Sequence, residues 1–257
     1  MPLIPVVDVF AGPGGLGEGF SAVRVGGRAA FQVVLSIEKD RHACATLEMR
    51  SFFRQFADRR VPKAYYEHLR GVLTRAELYK RFPVEAQRAN EEAWHAELGS
   101  TATSCDAVHH RIRHALHRAK GWVLIGGPPC QAYSVAGRSR NRGVRGYRPE
   151  ADERHRLYEE YLRIVTDHWP PVFVMENVKG LLSATIRDEL LFERMCKDLG
   201  DPARSMRPRR RHRYRILSLE EVPERSRSDG ESVGRFVVRA ERHGIPQCRH
   251  RVYRKVC

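Results

Sequence analysis

The sequence has no hydrophobic run near the roughly 20 residues that a membrane-spanning helix needs. Met1–Pro5 also lacks the charged start and long apolar core of a secretory signal peptide. We therefore expect an intracellular, cytoplasmic protein with no membrane partner.

Cysteine pairs are missing too. The 257 residues contain six cysteines and no C-x-x-C pair, so there is neither a dense disulfide framework nor a zinc-ribbon pattern. This usage is typical of a reducing compartment. His110, His114 and His117 share one face of a predicted helix, but no acid or cysteine nearby completes a metal site. We interpret these histidines as a solvated basic face and predict no metal.

Acidic residues are few compared with basic ones. Lys and Arg number 46, Asp and Glu 31, and the net charge is +15. This excess favours a polyanionic partner, above all nucleic acid. A GC-rich coding sequence, which enriches arginine, is the alternative explanation.

The first recognisable unit is a strand, a glycine-rich turn and a helix. Ile4–Phe10 predicts a buried strand, and residues 11–17 contain four glycines before a helix through Ala22. A second strand over 31–37 ends at Glu38, where nucleotide-binding α/β folds place the acid that binds ribose. An acid favoured by a helix N-terminus is the alternative for Glu38. The pattern predicts an α/β fold that binds a ligand containing adenosine.

Two further strands end in reactive side chains. Trp122–Ile125 precedes Gly126-Gly127-Pro128-Pro129-Cys130, and the strand over 171–175 precedes Glu176. Taken alone, Cys130 is more often a buried structural cysteine and Glu176 a structural acid. In the extended segment near the end, Arg249 and Arg251 lie two residues apart and point the same way.

The remaining segments predict helices, strands and a loop that contain no candidate catalytic residue. We expect helices over 157–165 and 181–199, and edge strands over 214–219 and 234–238. The glycine- and arginine-rich segment 137–148 is predicted to be a mobile loop that faces phosphates.

Taken together, these motifs resemble the DNA cytosine-5 methyltransferase family. Five blocks match in the family's order: Asp8-Val9-Phe10-Ala11-Gly12-Pro13-Gly14-Gly15-Leu16, Glu38, Gly127-Pro128-Pro129-Cys130-Gln131, Glu176-Asn177-Val178 and Gln247-Cys248-Arg249-His250-Arg251. The resemblance covers about residues 1–57 and 120–253. It implies a Rossmann-like methyltransferase fold, with a mostly parallel sheet and helices on both faces.

The resemblance also implies the cofactor S-adenosyl-L-methionine and the residues that would bind it. These are Asp8, Phe10, Ala11, Gly12, Gly14, Gly15, Leu16, Glu38, Lys39, Asp106, Pro129 and Leu157. Asp106 is our prediction for the acid that meets the adenine amine, and Lys39 stands where the family has an apolar or aromatic residue.

By the same resemblance, four residues are catalytic. Cys130 is the nucleophile for C6 of cytosine, and Glu176 contacts N3 and the exocyclic amine. Arg251 contacts the base O2, and Arg249 supports the geometry and the thiolate. The target base of double-stranded DNA must be flipped out, which predicts a nucleoid-associated enzyme that needs no metal for methyl transfer.

The sequence departs from the family in two regions. Residues 58–118 are predicted to be a helical insertion. After Arg251 the family continues with an apolar strand, a target-recognition domain and further motifs, whereas here Arg254-Lys255-Val256-Cys257 follows. We therefore expect a C-terminally incomplete catalytic domain over 1–257, from a split or truncated enzyme with a complementary subunit.

Two alternatives stay open at this point. One is an RNA (tRNA) cytosine-5 methyltransferase of the same architecture, because the shared motifs do not distinguish the two substrates. The other is a non-catalytic nucleic-acid-binding remnant of the fold, against which the retention of Cys130, Glu176, Arg249 and Arg251 argues.

Overall fold

The computed structural model describes residues 2–56, 60–129, 153–186, 189–206, 212–219 and 234–256. The chain forms two compact units, Met1–Ala119 and Lys120–Cys257. Among the helices of these described ranges, none combines the length and apolarity needed to cross a membrane. The predicted loop 137–148 and the nucleophile candidate Cys130 lie outside the described residues.

The N-terminal unit is built on parallel strands. β1 (Ile4–Val9) pairs with β4 (Phe31–Glu38), and β4 pairs with β5 (Ala93–His95). A short antiparallel pair, β2 (Arg24–Val25) and β3 (Arg28–Ala29), precedes β4. The helices are α1 (Gly15–Ala22), α2 (Arg41–Arg54), α3 (Lys63–Leu69), α4 (Arg75–Arg81), α5 (Pro83–Glu92) and α6 (Cys105–Leu116). The predicted strand–turn–helix opening is confirmed.

We had expected residues 58–118 to form a helical insertion. The region is not continuously helical. Helices α3, α4 and α5 do pack around the buried ring of Phe52 in α2. Strand β5, however, extends the sheet beside β4, with Ser36 opposite Ala93. Three residues are too few to show a period in the sequence, so only pairing with β4 reveals this strand.

The C-terminal unit combines one parallel and several antiparallel pairs. β6 (Val123–Gly126) is parallel to β7 (Val172–Val178), and β7 is antiparallel to β12 (His250–Val256). The other edge of β12 pairs with β10 (Ile216–Leu217) and β11 (Val237–Arg239). A small hairpin joins β8 (Thr185–Ile186) to β9 (Glu189–Leu190). The helices are α7 (Glu153–His168), α8 (Leu191–Gly200) and α9 (Pro202–Met206), with 3-10 turns at Lys179–Ser183, Gly234–Phe236 and Ala240–His243.

Strands and helices alternate in both units, which confirms the predicted α/β class. The single helix predicted over 181–199 is wrong. A 3-10 turn and the β8–β9 hairpin occupy its first half, and α8 its second. The two predicted edge strands exist as β10 and β11, and each pairs with β12.

Arg254 also behaves differently from our expectation. We had interpreted residues 254–257 as a loss of the apolar strand, yet β12 continues to Val256. Arg254 is only 1% exposed, and its guanidinium lies 4.1 Å from the ring centre of Phe192. At this position the resembled family has an apolar side chain. Here the Arg254 guanidinium packs over the Phe192 ring instead.

Asp8 is the most deeply buried acid of the N-terminal unit. It is 1% exposed at the end of β1, and the backbone N–H of Gly17 in α1 donates to its carboxylate. Burial raises the pKa of Asp8 to about 8, although the hydrogen bond from Gly17 acts in the opposite direction. Asp8 is therefore largely protonated in the folded protein at neutral pH.

This pKa predicts how stability changes with pH. Because the folded pKa lies above the ordinary 3.8, the contribution of Asp8 is fully present at low pH and is lost as pH rises towards 8. In Asp8→Asn the group cannot ionise. Its melting temperature should fall less than that of the wild type between about pH 5 and pH 8. The measurement is thermal unfolding across this range.

Asp106→Asn is the matched control, because it makes the same substitution at an exposed position. Its pH profile should follow the wild type. An Asp8→Asn profile as steep as that of the wild type would contradict the assignment.

Candidate active site

The C-terminal unit brings a carboxylate and an arginine together at the ends of adjacent strands. Glu176 lies near the end of β7, and Tyr253 of β12 is its cross-strand partner. Arg251, two residues before Tyr253, is the diagonal neighbour and reaches back over Glu176. Its Nε lies 2.6 Å from Glu176 Oε1. The predicted pair Glu176 and Arg251 is thus in direct contact.

Burial and two arginines act in opposite directions on the pKa of the Glu176 carboxyl group. Burial raises the pKa of this carboxyl group, and the positive charges of Arg251 and Arg249 partly offset the rise. Arg249 is exposed, and its effect on Glu176 is electrostatic. The site therefore holds a carboxyl group that can donate a proton, beside a fixed guanidinium.

Gly127 allows the Glu176 side chain to come close to the loop after β6. A Cβ at this position would lie 2.8 Å from Glu176 Oε2 and 3.3 Å from the Glu176 carbonyl oxygen. No other residue fits at 127 unless the carboxyl group moves. A glycine before the cysteine motif is expected to allow a close approach, and the group that approaches Gly127 is the Glu176 side chain.

Asn177 connects the two motifs through hydrogen bonds. It is 4% exposed, its Nδ2 donates to the Pro128 carbonyl oxygen at 3.2 Å, and its Oδ1 accepts from the Val178 N–H at 2.8 Å. Asn177 therefore ties the end of β7 to the loop that follows β6, at Pro128. The sequence signal was the amide directly after Glu176, which we did not select as a site residue.

The predicted cofactor loop of the N-terminal unit has an unusual backbone. Phe10 has φ +55°, a conformation uncommon for a residue with a side chain, and Gly14 has φ +87°. Gly14 caps α1, and a Cβ there would lie 2.7 Å from Leu47 Cδ2. At Gly12 and Gly15 a Cβ would meet no atom within 4 Å. The loop backbone therefore borders open space at the start of α1, between Ala11 and Leu16.

Glu38 holds this loop in place with both carboxylate oxygens. Oε2 accepts from the Gly12 N–H at 2.7 Å, and Oε1 accepts from the Asp40 N–H at 2.8 Å. Each oxygen retains a lone pair for a further donor, such as a sugar hydroxyl. Asp8, by contrast, is buried beneath α1, so we assign it a positioning role rather than contact with a ligand.

Lys39 and Asp106 belong to different elements, since Lys39 directly follows β4 and Asp106 lies at the start of α6. Asp106 is exposed in the first turn of α6, where the helix dipole favours an acid. The acid beside Lys39 is Glu97, which follows β5, and its Oε1 lies 3.1 Å from Lys39 Nζ. The Ala96 N–H donates to the Glu38 carbonyl oxygen at 3.0 Å, which fixes Glu97 at the end of β4. Sequence reasoning missed Glu97 because it missed β5.

The other predicted residues are half-buried or exposed. Pro129 and Leu157 are half-buried in the C-terminal unit, and Leu157 lies in the first half of α7. His110, His114 and His117 are exposed on α6, with successive ring centres 6.4 and 5.5 Å apart, as expected for a solvated face.

Comparisons with known proteins agree with these motifs. Residues 106–201 match the model of the C-5 cytosine-specific DNA methylase family. The chain is 34% identical over 194 residues to the type II methyltransferase M.Bpa9945I of Bacillus paralicheniformis. It is 31% identical over 196 residues to M.MjaORF1200P of Methanocaldococcus jannaschii, described as a type II methyltransferase. Each alignment covers 70% of this chain, and they cover 41% and 49% of the respective relatives, so the chain spans less than half of their lengths.

Solved structures support the fold. A prophage-encoded DNA modification methyltransferase of E. coli matches 98% of this chain and 46% of its own, with a TM-score of 0.51 and 19% identity. The Entamoeba histolytica methyltransferase EhMeth matches 100% of this chain and 53% of its own, with a TM-score of 0.51 and 16% identity. Both likenesses confirm the Rossmann-like methyltransferase fold.

The Asn177 hydrogen bonds generate a stability prediction. Asn177→Ala removes a buried amide and leaves the Pro128 carbonyl and the Val178 N–H without this partner. We expect a loss of about 1–3 kcal/mol in the free energy of unfolding, measured by chemical denaturation. Asn90→Ala, at an exposed position of α5, should change it by less than about 0.5 kcal/mol. Equal losses in the two variants would contradict the bridging role.

Proposed function

We propose that the chain belongs to the C-5 cytosine-specific DNA methylase family, whose model matches residues 106–201, and that it transfers a methyl group from S-adenosyl-L-methionine to C5 of cytosine in double-stranded DNA. The observation that supports this best is the contact between Glu176 and Arg251 beside Gly127, on the loop that leads to Cys130. A buried carboxyl group, a guanidinium and a thiol are the groups that this reaction needs.

The N-terminal unit fits the cofactor. The open backbone at Gly12 and Gly15 gives a ligand room beside the start of α1, and Glu38 keeps acceptor capacity for ribose hydroxyls. We propose that Phe10, Ala11, Gly14 and Leu16 complete this surface, and that Pro129 and Leu157 contribute from their own motifs. When bound, S-adenosyl-L-methionine supplies an electrophilic methyl group.

On the adenine side, we propose Glu97 in place of Asp106. Its carboxylate lies next to Lys39 and close in the fold to Glu38, whereas Asp106 is an exposed helix acid. Lys39 and Glu97 neutralise each other in an exposed ion pair, which is weak enough to open when a ligand needs the carboxylate.

The protein's residues act on the cytosine ring. The Cys130 thiolate adds to C6, and its electron pair moves towards C5 and N3. Glu176, whose pKa is raised by burial, donates to N3 and accepts from the exocyclic amine, which stabilises the charge on the ring. Arg251 donates to O2, and Arg249 adds positive charge that favours the Cys130 thiolate.

The reaction ends with loss of the C5 proton and release of the Cys130 sulfur. After C5 has gained the methyl group, a base removes the C5 proton, and its electron pair reforms the C5–C6 double bond. The C6–S bond breaks, and the Cys130 thiolate is released. The N3 proton returns to Glu176, the products are 5-methylcytosine and the demethylated cofactor, and the protein returns to its starting state.

The net charge of +15 suits a double-stranded DNA substrate. A stacked cytosine is out of reach of a thiol, so we propose that the base flips out and that segment 137–148 contacts phosphates. An intracellular, nucleoid-associated location follows from this substrate. The complementary subunit for target recognition remains a prediction.

The decisive assay is transfer of labelled methyl groups to DNA. Glu176→Gln retains a hydrogen-bonding side chain but cannot give up a proton to N3, so we expect methyl transfer to fall about 10²–10⁴-fold. Cys130→Ser should abolish it. Glu193→Gln, an exposed acid of α8, is the control and should keep wild-type activity. Activity that survives Cys130→Ser would refute the mechanism.

A trapping experiment separates the remaining alternatives. DNA carrying 5-fluorocytosine should form a covalent adduct with Cys130 in the presence of the cofactor, because fluorine cannot leave as a proton does. A tRNA competitor that prevents this adduct at equal concentration would favour the RNA enzyme. Absence of any adduct, with the chain alone and with a recognition partner, would favour the non-catalytic remnant.

The close approach at Gly127 predicts an activity loss without unfolding. In Gly127→Ala the Cβ displaces the flexible end of Glu176, so we expect methyl transfer to fall at least about tenfold while the melting temperature changes little. Gly121→Ala is the matched control, because a Cβ there meets no atom within 4 Å. Full activity in Gly127→Ala would show that the position of Glu176 is not critical.

A further inference from the structure

The arginine motif contains two more reactive side chains between its arginines. In β12, His250 and Arg251 are successive residues of an extended strand, so their side chains point to opposite faces, and Cys248 lies two residues before His250. The mechanism uses the arginines alone. Cys248 and His250 are therefore available for another role.

A third side chain meets them from the preceding 3-10 turn. His250 Nε2 lies 2.7 Å from Glu241 Oε1. The Cys248 sulfur, one His250 ring nitrogen and one Glu241 carboxylate oxygen all lie within 4.8 Å of one another. Cys248 is a free, exposed cysteine, and Glu241 is also exposed. A ligand from solvent can reach all three.

Backbone hydrogen bonds connect the two ends of the segment that bears these side chains. Arg239 pairs with His250 between β11 and β12, and the Ala240 N–H donates to the Arg249 carbonyl oxygen at 3.1 Å. The Ile245 N–H donates to the Ala240 carbonyl oxygen at 3.3 Å, past Gly244 with φ +75°. Little ordering remains to be done when a ligand binds.

One thiol, one imidazole and one carboxylate form a donor set typical of zinc. Zn²⁺ binds these groups at about 2.0–2.3 Å, so tetrahedral donors lie roughly 3.3–3.7 Å apart. Separations within 4.8 Å reach that geometry through small side-chain rotations. Ca²⁺ and Mg²⁺ require mostly oxygen donors and do not match a thiol.

We propose that Glu241, Cys248 and His250 bind a Zn²⁺ ion, with water in the fourth position, on the face of the arginine motif opposite to Arg251. Binding releases the Cys248 thiol proton to solvent. The ion would hold the start of β12, and with it the segment that positions Arg251. This site is independent of the proposed methyl transfer.

The test uses the full chain and the metal alone. Isothermal titration with Zn²⁺ should show one equivalent bound by the wild type. Cys248→Ser and His250→Ala should weaken binding by more than the roughly 10–100-fold that loss of an outer-shell partner costs. Cys105→Ser, at another exposed cysteine, is the matched control and should bind like the wild type. Circular dichroism of each variant verifies folding.

A second measurement needs no substitution. Saturating Zn²⁺ should slow alkylation of Cys248 in the wild type, followed by mass spectrometry of the peptide, and leave Cys105 unchanged. Unchanged alkylation of Cys248, or zinc affinity that survives Cys248→Ser, would overturn the proposal. So would loss of the bound equivalent in His114→Ala, because the metal would then lie on α6. None of these readouts depends on methyl transfer, so failure of one proposal leaves the other intact.

Discussion

The contact between Glu176 and Arg251 is the constraint on which the C-terminal unit depends. It exists because β12 runs antiparallel to β7 in one register, with Tyr253 opposite Glu176. A shift of one residue would turn Arg251 to the other face of the sheet. Gly127 and Asn177 serve the same contact, since one leaves room for the carboxyl group and the other holds the neighbouring loop.

Burial gives the acids of this protein different roles. Asp8 and Glu176 both have raised pKa values because water is excluded from them, yet Asp8 lies beneath α1 and Glu176 faces a loop. Glu38 is half-buried, and each of its carboxylate oxygens accepts a hydrogen bond from a backbone N–H group. Position in the fold, rather than residue type, separates a structural acid from a candidate catalytic acid and from a candidate ligand-binding acid.

Strand β12 shows how one extended segment can serve two purposes. The alternation of side chains within β12 sends Arg251 to one face and His250 to the other. The far end of the same strand is buried, where Arg254 lies against Phe192 instead of an apolar side chain. The strand is thus anchored at its end, paired on both edges and open at its start.

The sequence alone determined the local units: a strand, a glycine turn and a helix, and the motifs around Cys130, Glu176 and Arg251. These follow from period, from glycine and proline, and from residue order within a few positions. Only the tertiary structure decided the pairing of β5 with β4, and thereby Glu97 rather than Asp106 beside Lys39. It also decided the meeting of Glu241 with His250. Such contacts depend on strand register and on burial, which arise between segments distant in the chain and leave no periodic signal in it.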